Sequence, residues 1–278
     1  MSDKLIITHT NPDPDAICSV WLLRRFDQEM IEAGVAFVSA GKTYQDQTAD
    51  SDPDVIHVDT GMGQFDHHQT GERTCAALLV LEQLKIKYDY LQEDEALDRL
   101  VQVILADDHF DECCWPEASA DRYQFMFGEI LDGLKHNNTL TDQGLIDFGS
   151  TCLDGIYTMM KLKVDAENEI NSQGREFQSQ WGKALAIVSK NDEVLPIAQK
   201  LGYVLVVRKD PDGMVRIKAN PSSEVDLAQA CQKAKELDPE ATWFLHASKK
   251  MLLNGSYKNP DSKFSKLRIE ELIGLFNH

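Results

Sequence analysis

Apolar residues in the first 110 positions alternate between short continuous runs and helical stripes. Lys4-Leu5-Ile6-Ile7-Thr8 is short and apolar, as expected of a buried parallel strand, and it delivers His9 and the loop Asn11–Asp15 at its carboxyl end. Ile17, Val20, Leu23, Met30 and Ile31 fall on one face of a helix that Gly34 is expected to stop, placing Asp15 near a helix N-terminus. Strand-like runs follow at Val35–Ala40 and Val55–Val58, then amphipathic stretches at Cys75–Leu84 and Ala96–Ala106. This alternation predicts an α/β fold built on a doubly wound parallel sheet.

The texture then changes. Residues 118–181 carry helical periodicity with breaks at Asn137-Asn138 and Gly149-Ser150, a helical extension and connector. Ala184–Val188 is strand-like, and Tyr203–Val207 and Met214–Ala219 flank the hairpin signal Asp210-Pro211-Asp212-Gly213. Val225–Glu236 is predicted as a helix and Thr242–His246 as a strand. The expected domains are therefore 1–117, the connector 118–181, and a smaller α/β domain over 182–278.

The 278 residues suffice for two domains. The N-terminal residues have neither a basic start nor a long apolar stretch, and no apolar run reaches the ~18 residues of a membrane span. The expectation is a soluble, cytoplasmic protein with no membrane partner. Cys18, Cys75, Cys113, Cys114, Cys152 and Cys231 lack CxxC spacing and read as reduced core residues. A net charge of −18 disfavours long duplex nucleic acid, while a local basic cleft could still hold a short nucleotide or small phosphate substrate. Oligomeric state is open.

Metal-type side chains cluster at the predicted strand ends. His9, Asp13 and Asp15 follow one strand, Asp59 ends another, Asp66-His67-His68 comes next, and Asp107-Asp108 closes a helix. In open α/β sheets such loops converge at the carboxyl ends of strands. So many carboxylates beside imidazoles require cations to stay deprotonated. The thiolate-free ligand set suits two divalent cations, Mn²⁺ first, with Mg²⁺, Co²⁺ or Fe²⁺ as alternatives. Such a pair activates water for phosphoryl displacement.

The segments His9–Ile17, Val58-Asp59, Asp66-His67-His68 and Ala106-Asp107 resemble, in order, the four metal motifs of the DHH phosphoesterase superfamily, which includes RecJ exonucleases, nanoRNases and family II pyrophosphatases. Asp66–Gln69 and His246-Ala247-Ser248 also resemble the melanocyte-proliferating-gene family of DHH-like exonucleases. The resemblance implies an N-terminal DHH domain in which His9 and Asp13 bind one metal, Asp15, His67 and Asp107 the other, and Asp59 both. It implies that Asp66 fixes the His67 tautomer and that His68 faces the scissile phosphate. Asp108 is the alternative to Asp107, which directly follows the apolar run Val103–Ala106. Cys18 stands where the family commonly has glycine, and the glycine-rich substrate motif of its nucleic-acid members is absent.

Elsewhere, His57 reads as a packed strand residue, His109 as either a substrate contact or a loop histidine, and His136 and His278 as surface residues. Trp21, Trp181 and Trp243 read as core. Arg208, Lys249, His246 and Ser248 are candidate substrate-binding residues, with Lys209, Arg216, Lys218 and Lys250 nearby. The activity expected is hydrolysis of a phosphodiester or phosphomonoester of a short nucleotide, as in a 3′–5′ exonuclease or nanoRNase. The alternatives are a small-molecule phosphatase or pyrophosphatase, and a non-catalytic nucleotide or metal sensor.

Overall fold

The computed structural model describes residues 4–256 and 259–276, so His278 lies outside the described residues. Strand β1 (Leu5–His9), helix α1 (Pro14–Phe26), strand β2 (Gly34–Val38) and strand β3 (Val55–His57) come first. They form the expected parallel sheet, in the order β2-β1-β3. His9 is in register with Val38, and Ile7 with His57. The chain passes from β1 through α1 to β2, then crosses back to the far side of β1 through residues 39–54. That crossing carries only a 3-10 turn, Tyr44–Asp46. Strand order thus reverses at β1, and the crevice for a ligand lies beyond its carboxyl end.

Helix α1 ends at Phe26, short of the expected stop at Gly34. Asp27 interrupts it: its carboxylate accepts from Glu29 N at 3.0 Å, Lys87 Nζ at 2.9 and 3.0 Å, and Tyr88 Oη at 2.8 Å. An aspartate that finds such partners favours a turn over another helical residue. Helices α2 (Ala76–Lys87) and α3 (Glu95–Asp108) pack on α1. Helices α4 (Phe127–His136) and α5 (Asp142–Gln173) follow.

The predicted break at Gly149-Ser150 does not occur, because α5 runs through it. The glycine serves close approach instead: a Cβ at position 149 would lie 2.6 Å from Ile17 Cγ2. The contact is reinforced by an edge-to-face cluster of Trp21, Phe26 and Tyr157, with centroids 5.4 to 5.9 Å apart. Trp21 Nε1 donates to Asp154 Oδ1 at 3.0 Å.

The chain divides into two compact units, Met1–Met160 and Lys161–His278, so the residues expected to form a connector, 118–181, are shared between them. The second unit contains β4 (Arg175–Ser179), β5 (Gly182–Val188), α6 (Val194–Lys200), β6 (Leu205–Lys209), β7 (Val215–Ala219), α7 (Ala228–Leu237), β8 (Trp243–Leu245), β9 (Met251–Asn254) and α8 (Ile269–Gly274). Strand β4 lies in the stretch predicted to be helical. The six strands form one sheet, β4-β5-β6-β7-β9-β8, with only β5 and β6 parallel. Alternation sends Ala184, Ala186, Leu205, Val207 and Ile217 into the core that also buries Leu272 and Phe276. Leu185, Ile187 and Val206 enter the opposite core with Ala166 and Ile170.

Cys18, Cys75 and Cys231 are buried and free as expected, whereas Cys113 and Cys114 are exposed and Cys152 is intermediate. Trp21 and Trp243 are buried, and Trp181 packs partly buried against the second unit's core. No helix among the described residues is long and apolar enough to cross a membrane.

The Gly149 contact is testable against an internal control, since a Cβ at Gly155 on the same helix would meet nothing within 4 Å. Gly155→Ala should be neutral or stabilising by up to ~1 kcal/mol through helix propensity. Gly149→Ala should lose about 1–3 kcal/mol to overpacking, enough to outweigh that gain. Denaturant melts compare the two directly; equal stabilisation of both would contradict the contact.

Candidate metal centre

The first motif is shaped by a helix start. Asp13 caps α1, accepting from Ala16 N at 3.0 Å, and Pro14 occupies the first helical position, where its missing N–H costs nothing. This places Asp15 in the first turn, buried, where its carboxylate meets a second helix start. Ala76 N and Ala77 N, at the head of α2, donate to its two oxygens at 2.7 and 2.8 Å. Two helix N-termini thus converge on one acidic loop.

Asp59 stands one residue beyond Val58, which continues from β3. It is 3% exposed and adopts a left-handed φ of 54°. A non-glycine residue in that region is strained, and such strain gathers at functional sites. Its backbone N–H donates to Phe65 O at 2.9 Å, tying the β3 end to the Asp66-His67-His68 loop.

Among the described residues, three groups bring ligand atoms within 4.8 Å of one another: His9, Asp13 and Asp59; Asp15, His67 and Asp108; and Asp59, His67 and His68. His9 Nε2 lies 3.2 Å from Asp59 Oδ2 and 3.6 Å from Asp13 Oδ2. His67 Nε2 lies 3.5 Å from Asp59 Oδ1 and 3.8 Å from Asp15 Oδ2, while its Nδ1 is 3.8 Å from Asp108 Oδ2. Asp59 Oδ1 and His67 Nε2 are buried with no hydrogen-bond partner. Buried polar atoms ordinarily have partners, and these two face each other across a gap that a cation can fill. The residues present therefore fit divalent ions.

Two expectations are corrected by this geometry. Asp107 belongs to none of the three groups, and Asp108 takes the place expected for it. The reason is helical phase: Leu97, Val101, Ile104 and Leu105 are buried on α3, and position 108 continues that face, whereas 107 follows the exposed Val103. The apolar run before Asp107 concealed this phase, although the spacing of apolar residues contained it. The second correction concerns Asp66, which pairs with His68 and not with His67. Its Oδ1 accepts from His68 N at 3.1 Å and lies 2.7 Å from His68 Nδ1, while its Oδ2 accepts from Met62 N at 2.7 Å. Burial would raise Asp66, but these donors hold its carboxyl below the usual range.

Charge crowding is visible in the protonation of the ion-free centre. Burial works against a charge on His9, yet hydrogen bonds to Asp13 and Asp59 raise it to about 10. The neighbouring Asp59 carboxylate, 3.5 Å away, raises His67 to about 9 against the opposing effect of burial, with help from Asp108 and Asp15. Burial and the nearby Asp59 charge push Asp15 up to about 8. Protons thus stand where cations would.

A cavity of about 250 Å³ opens beside Asp13, Asp15 and Asp108, walled by Asp107, Glu112, Glu129 and Asp132 together with Phe110 and Tyr123. Phe110 is 73% exposed and also has a left-handed φ, 56°. Burial, and then Glu112, raise Asp107 to about 6. Its Asp13, Asp15 and Asp107 walls belong to the motifs read in the sequence, whereas Phe110, Glu112 and Tyr123, from the stretch between α3 and α4, and Glu129 and Asp132 of α4 carry no motif signal.

The other expected site residues are placed as follows. His57 is buried and accepts from Tyr44 N at 3.0 Å, a packing role. His109 Nε2 is 3.0 Å from Thr74 O. Arg208, expected to meet substrate, is only 2% exposed: Nε donates to Ser189 O at 2.8 Å, and its guanidinium pairs with Asp192 at 2.6 Å and Asp210 at 3.1 Å. Its partners make it structural, because the inward register of β6 removes it from solvent. His246, Ser248 and Lys249 lie exposed on the β8–β9 turn, with His246 Nδ1 2.8 Å from Ser248 Oγ and Lys249 Nζ 2.9 Å from Asp226. Lys250 Nζ is tied to carbonyls of Ser223 and Val225.

No family model matches the chain, and no curated protein matches it. Among solved structures it is similar to the DHH domain of a protein described as a member of a family of ribosomal proteins, with 12% identity, 98% of this chain and 85% of that chain covered, and a TM-score of 0.34. It is similar to RecJ in complex with Mg²⁺ from Thermus thermophilus, at 12% identity, 98% and 49% coverage, and a TM-score of 0.32. An exopolyphosphatase-related protein from Bacteroides fragilis matches at 13% identity, 99% and 90% coverage, and a TM-score of 0.23. The fold is α/β in two units, and the first unit's centre is a carboxylate–histidine cluster able to hold metal ions. With these TM-scores below 0.5, the DHH resemblance stands on the four motifs and the geometry they acquire.

Ion binding must displace protons from His9, His67 and Asp15, so affinity should rise with pH between about 6 and 9 and binding at pH 7 should release about two or more protons. Calorimetry in two buffers of different ionisation enthalpy reads this; buffer-independent heats would contradict it. In the ion-free protein both histidines contribute stability fully below about 6.5, lost as pH rises through about 9 and 10. Asp15, raised above its unfolded value, acts in the same direction between about 4 and 8. Separately, Asp108→Asn should lose ions and Asp107→Asn should keep them, as elemental analysis of the two purified variants would record.

Proposed function

We propose that this chain is a cytoplasmic, two-metal phosphoesterase of the DHH type that hydrolyses an ester of a short nucleotide, in the manner of a 3′–5′ exonuclease or nanoRNase. One observation carries the reading: the ligand groups His9–Asp13–Asp59 and Asp15–His67–Asp108 meet where Asp59 Oδ1 and His67 Nε2 are buried without partners. In this reading His9 and Asp13 hold one ion, Asp15, His67 and Asp108 the other, and Asp59 both. Mn²⁺ suits these oxygen and imidazole donors best, with Mg²⁺ or Co²⁺ as substitutes. Bound ions of this kind lower the pKa of water and neutralise charge on the phosphoryl oxygens.

The remaining steps belong to side chains. Asp66 holds His68 at Nδ1, which leaves Nε2 directed away from that bond, and the His68 side chain is 59% exposed and open to a substrate. His68 is the group that gives a proton to the leaving oxygen, and Asp66 positions it. Arg208, buried among its partners, is not part of the substrate contact in this reading.

The acidic cavity bears on the substrate. Its carboxylates repel a second phosphate, while Phe110 and Tyr123 offer faces for a base and the carboxylates accept from ribose or amine donors. This favours a nucleotide ester over pyrophosphate or polyphosphate, and the Asp66–His68 pair favours turnover over sensing alone.

With Mn²⁺ present, dinucleotides should be hydrolysed with kcat/KM at least about tenfold above pyrophosphate and polyphosphate; a preference for pyrophosphate would overturn the substrate assignment. His68→Gln should keep its metal content and lower kcat by ~10²–10⁴-fold, less so for a nitrophenolate leaving group that needs little protonation. Loss of metal in His68→Gln, or equal slowing of both substrates, would remove the acid role.

A further inference from the structure

Residues 4–160 contain ten lysines and arginines. Eight are ion-paired with carboxylates of the same unit. Arg24 is also committed, giving Nε and Nη2 to Ala33 O at 3.0 and 2.6 Å. Among the described residues of this unit, Lys42 alone has a head group in neither an ion pair nor a hydrogen bond. Within this unit, where carboxylates far outnumber cations, an uncommitted ammonium is the exception.

Its backbone is fixed, and fixed beside the metal centre. Gly41 N donates to Thr60 Oγ1 at 3.1 Å, and Thr60 Oγ1 donates to Lys42 O at 3.1 Å. Thr60 directly follows Asp59 and is itself buried. Two residues on, Tyr44 N donates to His57 Nε2, so Thr60 and the last residue of β3 hold this loop on both sides of Lys42. Gly61, at φ +80°, permits the approach: a Cβ there would stand 3.4 Å from Lys42 O and 3.1 Å from Thr43 Cγ2. Lys42 also follows β2, whose last residue, Val38, is in register with His9. The loop therefore leaves the sheet at the level of the centre, with its backbone held and its side chain exposed.

From this placement we propose that Lys42 binds the non-bridging oxygens of the phosphate presented to the centre, an inference that rests on the phosphoesterase reading and adds a substrate-contacting residue to it. The Asp59 carboxylate faces His9 and His67, 3.2 and 3.5 Å away, and makes no ion pair with the Lys42 ammonium. A lysine is a compact charge on a flexible stem, suited to a phosphate whose position varies between substrate and product.

The test uses the full chain loaded with Mn²⁺, comparing wild type, Lys42→Met and Lys42→Arg. Inorganic phosphate binding is measured by calorimetry, metal content by elemental analysis, and hydrolysis as KM and kcat on a dinucleotide. Lys42→Met should weaken phosphate binding by about tenfold or more and raise KM, with metal content unchanged, and Lys42→Arg should recover most of the loss. Phosphate binding by Lys42→Met equal to wild type overturns the proposal, as does a loss of metal that would account for the change. If wild type binds phosphate through Lys42 but cleaves no ester, the phosphoesterase reading fails while the phosphate contact stands.

Discussion

Charge repulsion at the carboxyl ends of β1 and β3 is the constraint on which the first unit depends. Asp13, Asp15, Asp59 and Asp108 are drawn to within a few ångströms of His9 and His67, and Asp59 is held in a left-handed conformation to complete the set. No arrangement of side chains alone relieves that crowding, so the ion-free centre retains protons on both imidazoles and on Asp15. Much of the surrounding structure serves to hold it. Two helix starts bind Asp13 and Asp15, the Phe65 carbonyl fixes the Asp59 backbone, and Thr60 anchors the loop of residues 41–44.

The same constraint explains what was legible in the sequence. The three parallel strands and the order of the four motifs were readable because apolar runs end abruptly in acidic and imidazole residues, a pattern with few structural uses. Helical phase on α3 was also written in the sequence, yet adjacency to an apolar run favoured Asp107 over Asp108. What could not be read was tertiary pairing. Asp66 binds its second neighbour His68 because its loop folds back on itself, and Asp27 ends α1 because Lys87 and Tyr88 arrive from α2 and its end.

The second unit shows the limits from the other side. Arg208 reads as a surface cation by type, but the register of β6 buries it among Ser189, Asp192 and Asp210. Gly149, in the first unit, reads as a helix break and instead admits Ile17. Strand β4 sits where periodicity looked helical, and β9 follows a turn whose lysines masked its short apolar core. In each case a partner distant in sequence decided between two locally acceptable conformations.

The central claim is that Asp59 joins two cations held by otherwise separate ligand sets. Anomalous diffraction from Mn²⁺-loaded crystals tests it most directly. Two peaks ~3.5–4 Å apart are expected, one beside His9 and Asp13, the other beside Asp15, His67 and Asp108, with Asp59 between them. A single peak at saturating Mn²⁺, or a pair to which Asp59 contributes no oxygen, would contradict it.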